Sequence, residues 1–156
     1  MQSVQSVAIL FRMESVAADL LSAVGAASRL RQIDEAAAAA PRAPGKWSRK
    51  QVLGHLLDSA SNNHQRFVRL QLVPRIDLPG YDQDDWVRVQ RYQDRPWMEI
   101  VRLWEDYNLQ LAAIIRNVDA KSLQNVWHTP GGEDLTLEFI MRDYVTHLRH
   151  HLEQIL

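Results

Sequence analysis

The chain is predicted to be all-α, a four-helix bundle with a long crossover connection between its second and third helices. Three observations lead to that fold class. Four long segments carry apolar residues at helical spacing, no segment alternates apolar and polar residues as a half-buried strand would, and the passage between the second and third segments is long enough for a non-sequential topology. A length of 156 residues suits one domain with one core, spanning residues 1–156.

In the first helix, Val4 to Val24, residues Leu10, Met13, Ala17, Leu21 and Val24 share one face, and Gly25 is placed to end it. The alanine-rich stretch Leu30 to Ala40 is helical in part, and Pro41, Pro44 and Gly45 then force a turn. Ser48 followed by Gln51 forms a capping box, with Trp47 and Val52 at the staple positions around it. The second helix runs from Arg49 to Leu72 and is stopped by Pro74. Its core side carries Leu53, Leu56, Ala60 and Phe67, and Asp58 points away from that side. Beside the core side runs a polar stripe of His55, Ser59, Asn62 and Arg66, all within ~40° of one another. Such a stripe needs a common partner, because a buried polar group without one costs ~1–3 kcal/mol. His64 lies nine residues after His55 and faces the opposite way.

Val73 to Arg95 is a long connection holding Pro74, Pro79, Gly80 and the acidic, aromatic run Tyr81 to Trp86, a length typical of lids and crossovers. Tyr81 and Trp86 either cover the core edge or line a pocket. In the third helix Asp94 is the candidate cap, Pro96 lies in the first turn, and Ile100, Trp104, Leu111, Ile115 and Val118 face inward. Asp119 to Asp134 reads as a loop, with His128 at its surface, and Thr136 caps the last helix.

That last helix is the most chemically pointed stretch. Met141, Val145, Leu148 and Leu152 fall on one side, and Arg142, Thr146, Arg149 and Glu153 on the other. His147 and His151, at i and i+4, lie on the shoulder of the apolar stripe beside Tyr144 and Ile140, whereas His150 faces solvent. Two imidazoles at that spacing are able to bind one metal ion. A protease-type zinc helix would carry Glu directly after the first histidine; Leu148 stands there, so a third ligand has to come from another element.

Composition narrows the function further. Eighteen basic against nineteen acidic residues give no general electrostatic reason to bind nucleic acid or an anionic membrane. The absence of cysteine excludes a disulfide framework, a protein thiolate nucleophile and cysteine-ligated zinc. Arg12, Glu14 and Asp19 interrupt the apolar N-terminal residues, so neither a signal peptide nor a membrane span is expected and a cytoplasmic protein is the default. An apolar helix face leaves a homodimer open.

The segments Pro44-Gly-Lys-Trp-Ser48, Val52-Leu-Gly-His-Leu-Leu-Asp58 and Asp143-Tyr-Val-Thr-His-Leu-Arg-His-His-Leu-Glu-Gln-Ile155 together resemble the DinB/YfiT-like superfamily of metal-dependent proteins. The likeness extends over nearly the whole chain, including Tyr81 to Trp86. It implies a four-helix bundle that binds a divalent ion through three histidines, here His55, His147 and His151. The helical wheel reaches the last two unaided; His55 becomes the third ligand only through the resemblance. Asp58 and Gln154 also stand where such sequences often carry polar residues. Relatives in this superfamily include transferases and isomerases that use low-molecular-weight thiols.

Three imidazoles leave a coordination position open, and imidazole suits zinc, nickel, iron or copper alike. One expectation is that the ion holds an exogenous thiol as thiolate, which attacks an electrophile held by Asn62, Arg66, Tyr81 or Trp86. Asp143, one turn before His147, is the candidate acceptor orienting that ring, and Tyr81 and Tyr144 are the candidates for handling substrate or protons. A second expectation is hydroxide chemistry, as in histidine-ligated zinc hydrolases. A third is a bundle that binds a metal or small molecule without turnover.

Overall fold

Short polar side chains set where the helices begin. The computed structural model describes residues 4–156, without the side chains of residues 4–7, 9 and 10. Its elements run α1 (Val4–Val24), α2 (Ala27–Leu30), α3 (Glu35–Ala39), α4 (Arg49–Arg69), β1 (Arg75–Ile76), α5 (Gln83–Gln90), α6 (Trp97–Arg116), β2 (Val126–His128), β3 (Asp134–Thr136) and α7 (Leu137–Ile155). Ser48 accepts the backbone N–H of Gln51 while the Gln51 side chain accepts that of Ser48, so the expected capping box opens α4. Asp34, Asp82 and Thr136 accept from the third residue beyond them in the same way at α3, α5 and α7.

Four long helices form the bundle. α1 packs on α6 and α7, and α4 packs on α6 and α7, so α1 and α4 face each other across the bundle. α4 and α6 run parallel, because each leads into one of two parallel strands, β1 and β2, at the same end. The chain between them therefore travels back along the bundle: Gln93, near its end, takes a hydrogen bond of 2.6 Å from Ser48 at the start of α4. That is the expected crossover.

The buried apolar residues form one cluster, to which α1 contributes Met13, Val16, Ala17, Leu20 and Val24. Leu21 is only partly buried, and Leu10 lies outside the described side chains. The inward residues expected of α4 and α6 are all buried. Among the described residues no helix is long and apolar enough to cross a membrane.

Local expectations needed correction at five places. α4 ends at Arg69 rather than Leu72, because residues 70–73 tighten into turns before Pro74. Asp94 does not cap α6: it pairs with Arg91, and the first backbone N–H of α6, on Trp97, is taken at 2.8 Å by Glu35 of α3. The connection after α4 contains a helix of its own, α5. The stretch read as a loop before α7 supplies β2, paired antiparallel with β3 and parallel with β1, and His128 in it bonds Asp134 at 2.6 Å. Asp58, which the helical wheel sends to solvent, is 1% exposed, because the crossover lies over that face of α4.

Candidate metal centre and its adjoining cavity

His55 sits in the second turn of α4, and His147 and His151 sit one turn apart near the end of α7, which runs antiparallel beside it; Arg49 at the start of α4 donates to the carbonyl of Ile155 at 2.8 Å. This arrangement brings the three imidazoles together. One ring nitrogen from each lies within 4.8 Å of the others, and the Nε2 atoms of His55 and His147 are 3.3 Å apart.

The rings are held neutral. Burial, and then the neighbouring His151 and His147, push His55 down to about 4. Burial also lowers His147, with Asp143 acting in the opposite sense, and lowers His151, with Gln154 opposing. Neutral imidazole is the form that ligates a metal. Neighbouring nitrogens around a four-coordinate ion with bonds of about 2.0–2.1 Å lie about 3.3 Å apart, so the His55–His147 spacing and the neutral rings both fit a divalent transition metal. Gln154 Oε1 stands 3.3 Å from His151 Nδ1, which leaves the other nitrogen of that ring for the centre. The Trp47 ring packs 5.5 Å from His55, between centroids. His55 Nδ1 is buried with no hydrogen-bond partner among the described residues.

His147 also borders a cavity of about 180 Å³. Its wall includes Ser59, Asn63 and Arg66 of α4, Tyr81 of the crossover, Trp127 of β2, and Asp143 and Tyr144 of α7. Of the residues singled out for holding a substrate, Arg66 and Tyr81 stand on this wall. Asn62 is not: its amide turns back to the Asp58 carbonyl at 2.9 Å, a common local bond for short polar side chains on helices, and Asn63 takes the wall position. Trp86 is 37% exposed and packs at a tilt against Tyr81, 4.9 Å between centroids, outside the lining. Tyr144 lends its buried ring, but its hydroxyl is committed to Asn108 at 2.5 Å and burial raises its pKa well above the ordinary tyrosine range. Asp143 lines the cavity and its charge acts on His147, with no hydrogen bond between them among the described residues.

Trp127 was missed because its segment read as a loop. The available signal was Val126 to His128 and Asp134 to Thr136 flanking a Pro-Gly-Gly turn, a hairpin pattern. Asp58 is the other unexpected feature: its Oδ1 accepts the Tyr92 hydroxyl at 2.6 Å and the Gln90 amide, its Oδ2 is buried without a partner among the described residues, and burial raises its pKa.

A sequence model of the DinB superfamily matches residues 22–155. The chain belongs to the DinB superfamily. Within it, a protein of Halalkalibacterium halodurans is 26% identical over 112 residues, covering 70% of this chain and 63% of the relative. YfiT of Bacillus subtilis is 28% identical over 117 residues, covering 74% of this chain and 65% of YfiT. The chain thus spans a little under two thirds of the length of these relatives, both of which carry the words metal-dependent hydrolase in their names. The solved structure of YfiT, described as a four-helix bundle of unusual topology, superimposes with a TM-score of 0.72 at 23% identity over 99% of this chain and 86% of YfiT. This DinB-superfamily chain shares that fold.

Proposed function

We propose that this chain is a metal-dependent hydrolase acting on a small substrate in the cavity beside His147. The observation that carries the reading is the convergence of one ring nitrogen from each of His55, His147 and His151 within 4.8 Å, with His147 bordering that cavity. The names of the DinB-superfamily relatives support it. His55, His147 and His151 would hold the ion. A divalent ion on three imidazoles keeps a coordination position open and supplies Lewis-acid activation of the molecule that takes it.

The remaining work falls to the chain's own residues. Trp127, Leu135 and Ile140 give the cavity an apolar stretch of wall that holds an apolar group. Asp143, a carboxylate on that wall one turn from His147, accepts a proton from the attacking water. The water oxygen bonds to the acyl carbon, the bond from that carbon to the leaving oxygen or nitrogen breaks, and the proton on Asp143 passes to the leaving group. Acid and alcohol, or acid and amine, are released.

A cavity of about 180 Å³ suits one small molecule and a water better than a substrate together with an organic thiol. A second reading, transfer of an exogenous low-molecular-weight thiol, draws on a different observation. Trp47, which touches His55, also walls a separate hollow of about 240 Å³ with Arg42, Lys46 and Asp84, and a second reactant could lodge there.

The deciding experiment uses protein purified without a histidine tag, analysed for metal and assayed on model esters and amides with and without added thiol. Turnover without thiol, abolished by a chelator and by His151→Ala, is expected. Metal-loaded protein that hydrolyses nothing yet consumes thiol in the presence of electrophiles would transfer the assignment to the second reading.

A further inference from the structure

We infer that the cavity beside His147 takes a small monocarboxylate, held through its carboxylate by Arg66 and through its apolar body by Trp127, Leu135 and Ile140. The proposal rests on the hydrolase reading only in placing the reacting end of that molecule toward His147.

Arg66 is 7% exposed, and its guanidinium lies 3.6 Å from the centroid of the Trp127 ring. It makes a single hydrogen bond, to Asn63 Oδ1 at 3.3 Å. Among the described residues no carboxylate forms an ion pair with it, although the chain's other arginines and lysines pair in many places. A buried cation left so is costly, and a guanidinium offers five donors in a fork that matches a carboxylate. The guanidinium lies over the Trp127 ring, and both residues line the cavity. The built side of the site is therefore present and its counter-ion is not supplied by the described chain.

Charge and size select the class. Arg66 is the one fixed cation on the cavity wall among the described residues, so a monoanion is balanced where a phosphate dianion is not. The one carboxylate on the wall, Asp143, forms no ion pair with Arg66 among the described residues, and its negative charge there further disfavours a dianion. A cavity of about 180 Å³ is small for a ligand site and limits the ligand to an acid of modest size. The wall of Trp127, Leu135 and Ile140 asks for an aromatic or aliphatic body rather than a polyol.

The test is a titration of the full chain, metal-loaded and metal-free, with benzoate and phenylacetate, each against its own amide, followed by calorimetry and ligand-observed NMR. The acids are expected to saturate and the amides to bind about tenfold or more weakly, in keeping with a lost charge-assisted pair. Arg66→Gln, checked for folding by its melt, should bring acids down to the level of amides; Arg66→Lys keeps the charge without the fork and should fall between. The acid and amide comparison on the wild type needs no variant. His55→Ala should lose metal yet keep the preference for acids, so a failed metal centre and a failed anion site give different results. Amides binding as tightly as acids, no saturable binding of either, inorganic phosphate displacing benzoate at lower concentration than benzoate itself binds, or a folded Arg66→Gln that still prefers acids would each overturn the proposal.

Discussion

Gly54 and Tyr92 meet with no room for a methyl group between them: a Cβ on Gly54 would lie 2.2 Å from a carbon of the Tyr92 ring. The bare backbone in the second turn of α4 lets the crossover lie flat on the helix, and from there the Tyr92 hydroxyl reaches Asp58 at 2.6 Å. Glycine inside a helix ordinarily costs about 1 kcal/mol relative to alanine. Here the sign reverses. Gly54→Ala is expected to destabilise the protein by about 1–3 kcal/mol through overpacking, read as a lower denaturant midpoint at unchanged slope. A variant as stable as the wild type would contradict the packing of Tyr92 on α4.

Tyr144 separates a structural role from a chemical one. Its hydroxyl donates to Asn108, whose side chain is fully buried. Tyr144→Phe leaves that carbonyl without its donor and is expected to cost about 1–2 kcal/mol of stability, while hydrolytic turnover stays within about twofold of wild type. Loss of turnover in a variant of normal metal content would make the phenol part of the chemistry.

The histidine cluster is expected to make the metal-free protein acid-sensitive. A histidine whose pKa is lower in the folded chain than in the unfolded one takes up a proton on unfolding, so its contribution is complete above about 6.5 and is lost as the pH falls. For His55 the window runs from the ordinary value of 6.5 down to about 4 and corresponds to on the order of 3 kcal/mol. His147 and His151 act in the same direction. Asp58 acts oppositely: its raised pKa favours the folded chain below the ordinary carboxylate value, and that contribution is lost as the pH rises through the raised value. Urea melts of metal-free protein between pH 7.5 and 4.5 (roughly the titration range of these groups) should show stability falling with acid, and His55→Asn should flatten the curve. An unchanged slope in that variant would count against the buried, neutral state of the ring.

The proposed metal and proton roles on α7 are separable by substitution. His147→Ala and His151→Ala are each expected to lose the ion, seen by elemental analysis. Asp143→Asn should retain it and lower kcat by about a hundredfold, the usual scale of a lost general base. Loss of the ion in Asp143→Asn would move Asp143 from proton acceptor to support of the metal site.

Much of this was readable in the chain because it is local. The capping box at Ser48 and Gln51 depends on residues three apart, and the shoulder position of His147 and His151 depends on a period of 3.6 along one helix. Asn62 shows where periodicity stops being informative. It shares an angular sector with His55, yet its amide bonds the Asp58 carbonyl away from the cavity, while Asn63, whose amide bonds its own helix in the same way, lines the wall.

The sequence by itself determined the four rods, their inward faces, the start of α4 and the spacing of His147 and His151 on α7, since each follows from side chains within a few turns of one another. Only the tertiary structure decided that His55 meets that pair, that Tyr92 covers Asp58, and that Trp127 carries Arg66 to the cavity wall. Those contacts join residues 34 to 96 positions apart along the chain. They form because the bundle's parallel and antiparallel packing closes long loops around a shared core, and no local repeat encodes which distant side chains then come within reach.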